Sequence, residues 1–245
     1  MLAQTGNQTE ALAAYREALI VVKSLAAADS SNAMWQLNLS LAYRRIGDAL
    51  RKRGENTGAL SAYRDSQSVA KRQHKIDPSD VGWSRNLGLI EWRIGDLLRA
   101  QNDLAGSLAA YRESLSLIDR LAKADPSNVA VNRDLSAVQG NIGDVLRDRG
   151  EMQEAIASYL ASLDATRRVA VSDHSNTKWQ RELFIGLSRL ADLYERLGDR
   201  SHALDFAKQA LSVPRCATSR RCRRGRLKRM PNARRGSERR AVCSE

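Results

Sequence analysis

Cysteine is missing from positions 1–213 of this 245-residue chain, and proline, phenylalanine and long apolar runs are scarce throughout. Without cysteine the body can hold neither a disulfide framework nor a cysteine nucleophile, which fits a cytoplasmic setting. With four prolines and aromatics at 5 %, little interrupts helices and little supports a β-sandwich or barrel. No run approaches the roughly 18 apolar residues of a membrane span. The first residues, Met1 to Gly6, lack the basic head and apolar stretch of a secretion signal. No glycine-rich phosphate loop and no Ser-His-Asp spacing is present. His74, His174 and His202 fall in separate segments without matching partners. These absences predict a chain that is not an enzyme and that needs no cofactor or metal.

Positive charge is the exception to the scarcity, and it is unevenly placed. The net charge is +12, but positions 214–245 carry eleven Arg and one Lys against two Glu, a balance of +10 that leaves +2 for positions 1–213. Cys216, Cys222 and Cys243 all lie in this segment, and a gap of five between the first two does not suit the close ligand pairs of a structural zinc site. The segment has no aromatic residue and almost no apolar periodicity, so it reads as a disordered Arg-rich tail over 213–245. Two origins are open: a genuine basic tail, or an out-of-frame stretch of GC-rich coding sequence. A genuine tail would bind nucleic acid or an anionic surface only through charge, because nothing aromatic is interleaved for base stacking.

What fills positions 1–212 is a repeat with a period of 48. Tyr15, Tyr63, Tyr111 and Tyr159 share this step, as do Trp35, Trp83 and Trp179 with Val131 in the third place. Leu39, Leu87, Leu135 and Leu183 keep time with them, and so do Gly47-Asp48, Gly95-Asp96, Gly143-Asp144 and Ala191-Asp192. Each period holds two apolar stripes of helical spacing, such as Trp35, Leu39, Ala42, Ile46, Leu50 and then Leu108, Tyr111, Leu115, Ile118, Ala122. Asp77-Pro78 and Asp125-Pro126 stop the second helix of a period. Ser31-Asn32, Ser79-Asp80, Ser127-Asn128 and Ser175-Asn176 offer caps for the next one. Gly54, Gly150 and Gly198, with Asn102 in the same place, close the first helix in a left-handed conformation. About nine helices follow over 8–212, with turns near 29–32, 54–57, 77–80, 102–105, 125–128, 150–153, 173–176 and 198–201. One helix pair cannot bury its own stripe, so the pairs must stack.

These residues spell a pattern. Ile46-Gly47, Leu50, Gly54, Ala59 and Tyr63 resemble the tetratricopeptide repeat signature. Ile142-Gly143, Leu146, Gly150, Ala155 and Tyr159 do the same, and so do Leu190-Ala191, Tyr194, Gly198 and Ala203. The repeat between is looser, with Asn102 and Ser107. The family's usual unit is about 34 residues, so this longer period resembles the extended bacterial arrays with Trp-Gln-x-x-Leu and Ile-Gly-Asp motifs, some fused to effector or signalling domains. The resemblance implies an all-α, right-handed superhelix of antiparallel helix pairs. It divides into a partial repeat (1–30), repeats 31–78, 79–126 and 127–174, and a partial repeat 175–212.

The resemblance also implies a binding face. First helices line the concave groove of such proteins, which places Arg44, Asp48, Arg51 and Lys52 there, then Trp92, Asp96 and Arg99, then Asp144, Arg147 and Asp148, then Ser188, Asp192, Glu195 and Arg196. Two readings stand together: a ladder of ion pairs along and between helices, and a polar groove in which Arg44, Arg51 and Arg99 take carboxylates of a protein or peptide. The expected function is a protein-interaction scaffold. The alternatives are a nucleic-acid or anionic-surface binder acting through its tail, and the sensor arm of a larger signalling protein. Both ends read as cut. Leu2 to Gly6 match the end of a first helix, so the chain should start with a lone second helix over about 8–28. That helix should expose Leu12, Tyr15, Leu19 and Val22 and favour self-association.

Overall fold

The structure, a computed structural model, describes residues 2–172 and 177–213, with side chains described for 9–170 and 177–213. Among these residues the chain forms helices and no strand: α1 (Leu2–Ala28), α2 (Ala33–Lys52), α3 (Asn56–Ile76), α4 (Val81–Ala100), α5 (Leu104–Ala124), α6 (Val129–Asp148), α7 (Met152–Ser172), α8 (Thr177–Arg196) and α9 (Arg200–Ser212). The breaks fall where the period places them. The turn expected at 173–176, with its cap Ser175-Asn176 and His174, lies outside the described residues, as does the whole of 214–245.

Each break has a local cause that recurs in every period. Asp29, Asp77 and Asp125 accept hydrogen bonds from the amide and hydroxyl of the serine two positions on, at 2.6–3.1 Å. The serine hydroxyls foremost hold these carboxyls below the usual carboxylate range. Asn32, Asp80 and Asn128 then cap α2, α4 and α6 by accepting from the amide three positions on. After each first helix the chain reverses through one left-handed residue: Gly54 at φ 80°, Asn102 at 63°, Gly150 at 82° and Gly198 at 78°. Asparagine is the non-glycine residue that tolerates this best, which is why Asn102 serves.

The helix pairs α2/α3, α4/α5 and α6/α7 are held close by one device. Tyr63, Tyr111 and Tyr159 are at most 1 % exposed, and each ring lies flat against the glycine of its own first helix. A Cβ on Gly47, Gly95 or Gly143 would meet that ring at 2.6 Å. The last pair bears this out from the other side. Ala207 stands one period after Tyr159, and there the glycine is replaced too, by Ala191. One turn of the second helix further on, Ser66, Ser114 and Ser162 donate to the carbonyls of Ser40, Gly88 and Ser136, each at 2.7 Å. Arginines of the second helices clip the same pairs: Arg72 reaches Gln36, Arg120 reaches Ser84 and Arg168 reaches Asn132 at 3.0–3.3 Å.

Successive pairs then stack, with α3 on α4, α5 on α6 and α7 on α8. Successive first helices also touch, α2 with α4 and α4 with α6. No pair of second helices makes a comparable approach among the described residues, so the first helices line the inner side of the array. Trp83 and Trp179 are buried between pairs, as the period predicts.

Three expectations need correction. Helix α1 runs unbroken from Leu2, where the repeat register predicts a turn near Gly6. Among the described residues no antiparallel neighbour draws this stretch into a reversal, and continuing the helix satisfies its backbone groups. Trp35, on the apolar stripe of α2, is only half-buried, unlike Trp83 and Trp179 at the same place. The open face of α1 is also not the one expected. Leu12 is buried and Tyr15, Leu19 and Val22 pack against the first core cluster, since a second helix contacts the following first helix as well as its own. The uncovered side bears Ala14, Ala18 and Val21. Val21 is 59 % exposed, whereas Val69 and Ala165, at the same place in later periods, are 5 % and 0 % exposed.

The Gly–Tyr contact makes a non-additive prediction. Gly95→Ala should cost about 1–3 kcal/mol through overpacking on Tyr111. In a Tyr111→Ala background, the same change should be neutral or stabilise by up to about 1 kcal/mol, as helix propensity alone dictates. Urea unfolding of the four proteins of the cycle measures this, and equal costs in both backgrounds would refute the contact.

Candidate functional site

The aspartate that follows each of these glycines organises the inner face. Tyr63, Tyr111 and Tyr159 donate their hydroxyls to Asp48, Asp96 and Asp144, each at 2.7 Å. Burial foremost, and then the neighbouring aspartate, push all three phenols well above their usual range, so they remain donors. The following first helix reaches back to the same aspartates. Arg93 lies 3.3 Å from Asp48, Asn141 donates to Asp96 at 3.1 Å, and Arg189 donates to Asp144 at 3.1 Å. Burial raises the Asp96 carboxyl, while Tyr111 and the arginines nearby oppose that shift. Arg93, Asn141 and Arg189 are not among the residues that the sequence reading places on this face. They stand exactly one period apart, and that register was the signal that could have found them.

From Arg99 onward the face neutralises itself. Arg99 donates to Asp144 at 3.2 Å and to Asp148 at 2.8 Å. Arg147 pairs with Asp148 at 2.8 Å and Asp144 at 3.5 Å, and Arg196 pairs with Asp192 at 3.0 Å. Asp144 is thus a buried hub for three arginines and a tyrosine. The ladder of ion pairs exists here, and Arg99, expected to receive a ligand carboxylate, is occupied by it.

The α2/α4 end is different. Among the described residues, Arg44 and Arg51 make no direct hydrogen bond or ion pair, although Asp48 attracts Arg44 and Asp96 attracts Arg51 from nearby. Arg44 is half-buried, and desolvation foremost lowers its basicity against the pull of Asp48. The Arg51 Nε is sealed from water without an acceptor, and so is the indole Nε1 of Trp92. The sequence explains Arg51. Its counterpart one period on, Arg99, is neutralised partly by Asp148, and the residue that stands one period before Asp148 is Ala100. Arg93 lies over the Trp92 ring at 5.0 Å and is drawn to Asp48, and its positive charge opposes that of Arg44. Lys52 is exposed at the end of α2.

Polar groups elsewhere are satisfied structurally. Arg85 grips buried Asp134 through two donors at 2.7 and 2.9 Å, and Lys71 neutralises buried Glu91, to which the Gln67 amide also donates. His74 meets Ser84, and His202 meets Asp199 at 2.7 Å. Among the described residues, no three His, Cys, Asp or Glu side chains are grouped so as to hold a metal, and no helix is long and apolar enough to cross a membrane.

With this geometry in place, three comparisons bear on identity. Residues 134–215 match the tetratricopeptide repeat family. The chain is similar to the crystal structure of BtubC (BKLC) from P. vanneervenii, with 15 % identity, a TM-score of 0.52, and 97 % of this chain and 99 % of that one covered. It is also similar to a putative kinesin light chain of Podosopora anserina with nearly identical TPR-like repeats. There the identity is 11 %, the TM-score 0.54, and the coverage 86 % of this chain and 92 % of that one. At these identities the likeness is one of fold. No curated protein matches the sequence.

The buried hub and the exposed pair predict unequal costs. Asp144→Ala removes an acceptor from three arginines and from Tyr159 and should cost about 2–4 kcal/mol, the lower part of the range for breaking buried pairs because the arginines are partly solvated and Arg99 and Arg147 keep Asp148. Asp192→Ala should cost about 0.5 kcal/mol or less. Denaturant midpoints of the two variants provide the comparison.

Proposed function

We propose that this chain, which belongs to the tetratricopeptide repeat family, is a protein-interaction scaffold that holds a segment of its partner on the inner face formed by α2, α4, α6 and α8. The family fold carries the general part of this reading, since stacked helix pairs present an extended surface for binding. The particular part rests on one observation. The charges of the face are paired in one half, yet at its α2/α4 end Arg44 and Arg51 are partly exposed and make no direct ion pair among the described residues. A guanidinium group that is partly exposed and unpaired offers donors in fork geometry, and a bound partner can supply the acceptors.

The segment 214–245 is not needed for this role. Affinity capture with the full chain should retain a protein that a chain ending at residue 213 retains equally well. Arg44→Glu with Arg51→Glu should reduce that retention about tenfold or more, while shifting the thermal midpoint by no more than a few degrees. A partner lost on removing the tail, and indifferent to the two reversals, would move the function off this face.

A further inference from the structure

The unpaired donors have a spacing as well as a charge. Arg44 and Arg51 are seven positions apart on α2, about two helical turns, which places them on nearly one line of the helix about 10 Å apart. Asp48 lies on the same line between them, engaged by Tyr63 and Arg93. Along this stripe the face therefore reads positive, negative, positive. A ligand that satisfies both arginines must carry two negative groups at that separation and nothing negative between them.

We propose that the α2/α4 end takes an extended acidic peptide segment whose two carboxylates are three residues apart with uncharged residues between. One carboxylate sits on Arg44 and the other on Arg51. An extended chain of polyproline II geometry brings residues i and i+3 to the same side about 9 Å apart, which matches the arginines. A β-strand offers about 7 or 13 Å on one side, which does not. Planar guanidinium groups favour carboxylates through paired hydrogen bonds. A nucleic-acid strand fits poorly, because its closely spaced phosphates would set negative charge against Asp48. Beyond α4 the ligand must lose its acidity, since Asp144, Asp148 and Asp192 line that half and their arginines are already taken.

This inference rests on the reading of the inner face as a binding surface, and the test separates the two. Fluorescein-labelled Ser/Ala peptides carrying two Glu at separations of one, three and seven residues would be titrated with the full chain and followed by anisotropy. An uncharged peptide, a peptide with two Lys three residues apart and a short oligothymidylate complete the set. The Glu pair at three residues should bind tightest. Arg44→Gln and Arg51→Gln should each weaken it about tenfold or more. Ala100→Asp should do the same, because it gives Arg51 the internal carboxylate that Asp148 gives Arg99. Arg112→Gln, on the exposed side of α5, should change nothing, and circular dichroism would confirm that every variant is folded. Equal affinity at all separations, tighter binding at seven than at three, or wild-type affinity in Ala100→Asp would overturn the proposal. So would failure of the three-residue pair to bind at all, or stronger Arg44-dependent binding of the oligothymidylate. Binding of the uncharged or Lys peptide that depends on Arg44 would overturn the acidic specificity and leave the scaffold reading standing.

Discussion

Everything else in the array follows from how closely the two helices of a pair can approach, and the tyrosine of the second helix sets that distance. Its ring rests on bare backbone at Gly47, Gly95 or Gly143, and its hydroxyl reaches past the glycine to the aspartate beside it. One side chain thereby fixes a packing distance and orients a carboxylate. That carboxylate is the point to which the next first helix attaches through Arg93, Asn141 or Arg189. Pair closure and pair-to-pair stacking thus share an atom group, so a repeat is coupled to its neighbour through polar contacts on the inner face as well as through buried Trp and Leu.

The same coupling explains how the inner face comes to be divided. Each aspartate has a fixed number of oxygens, and three arginines converge on Asp144. One period earlier the counterparts are Arg51, Arg99 and Asn141, and Ala100 stands where Asp148 would, so Arg51 is left without the second carboxylate that Arg99 has. A few side-chain differences between otherwise parallel repeats, Arg44 against Trp92 and Ala100 against Asp148 among them, separate the paired half from the unpaired end. The family fold dictates neither, and the residues at a few repeating places decide it.

The fold was legible in the sequence because its causes are local and repeated. Asp-Pro-Ser stops, Asn and Asp caps and left-handed Gly or Asn each act within a few positions, and their spacing does not depend on how the helices pack. The start of α1 was not legible. A turn motif reverses a chain only when a neighbouring helix is there to pack against, and the described structure offers Leu2–Gly6 none. The site was legible in part. The family resemblance assigns Arg44, Arg51 and Trp92 to one face, but whether an arginine is paired depends on contacts far apart in the chain, as from Arg99 to Asp144 and Asp148. Helical phase carries no information about that. Arg93 and Arg189 were overlooked for a related reason: by phase alone they sit at the edge of the stripe, and they matter because they span the gap to the preceding pair.

The pairing of Ala191 with Ala207 bears on how the array comes apart. The pairs α2/α3, α4/α5 and α6/α7 interlock through a ring and an aspartate. The pair α8/α9 closes without them and instead uses a face-to-face aromatic run of His202, Tyr194 and Phe206 near its turn. In a linear array each unit is stabilised chiefly by the one beside it, so cooperativity extends only as far as the strength of each junction allows. The junction without the tyrosine is where α9 can separate while α2 to α7 remain a single folding unit, which gives this solenoid a yielding pair beside a rigid body.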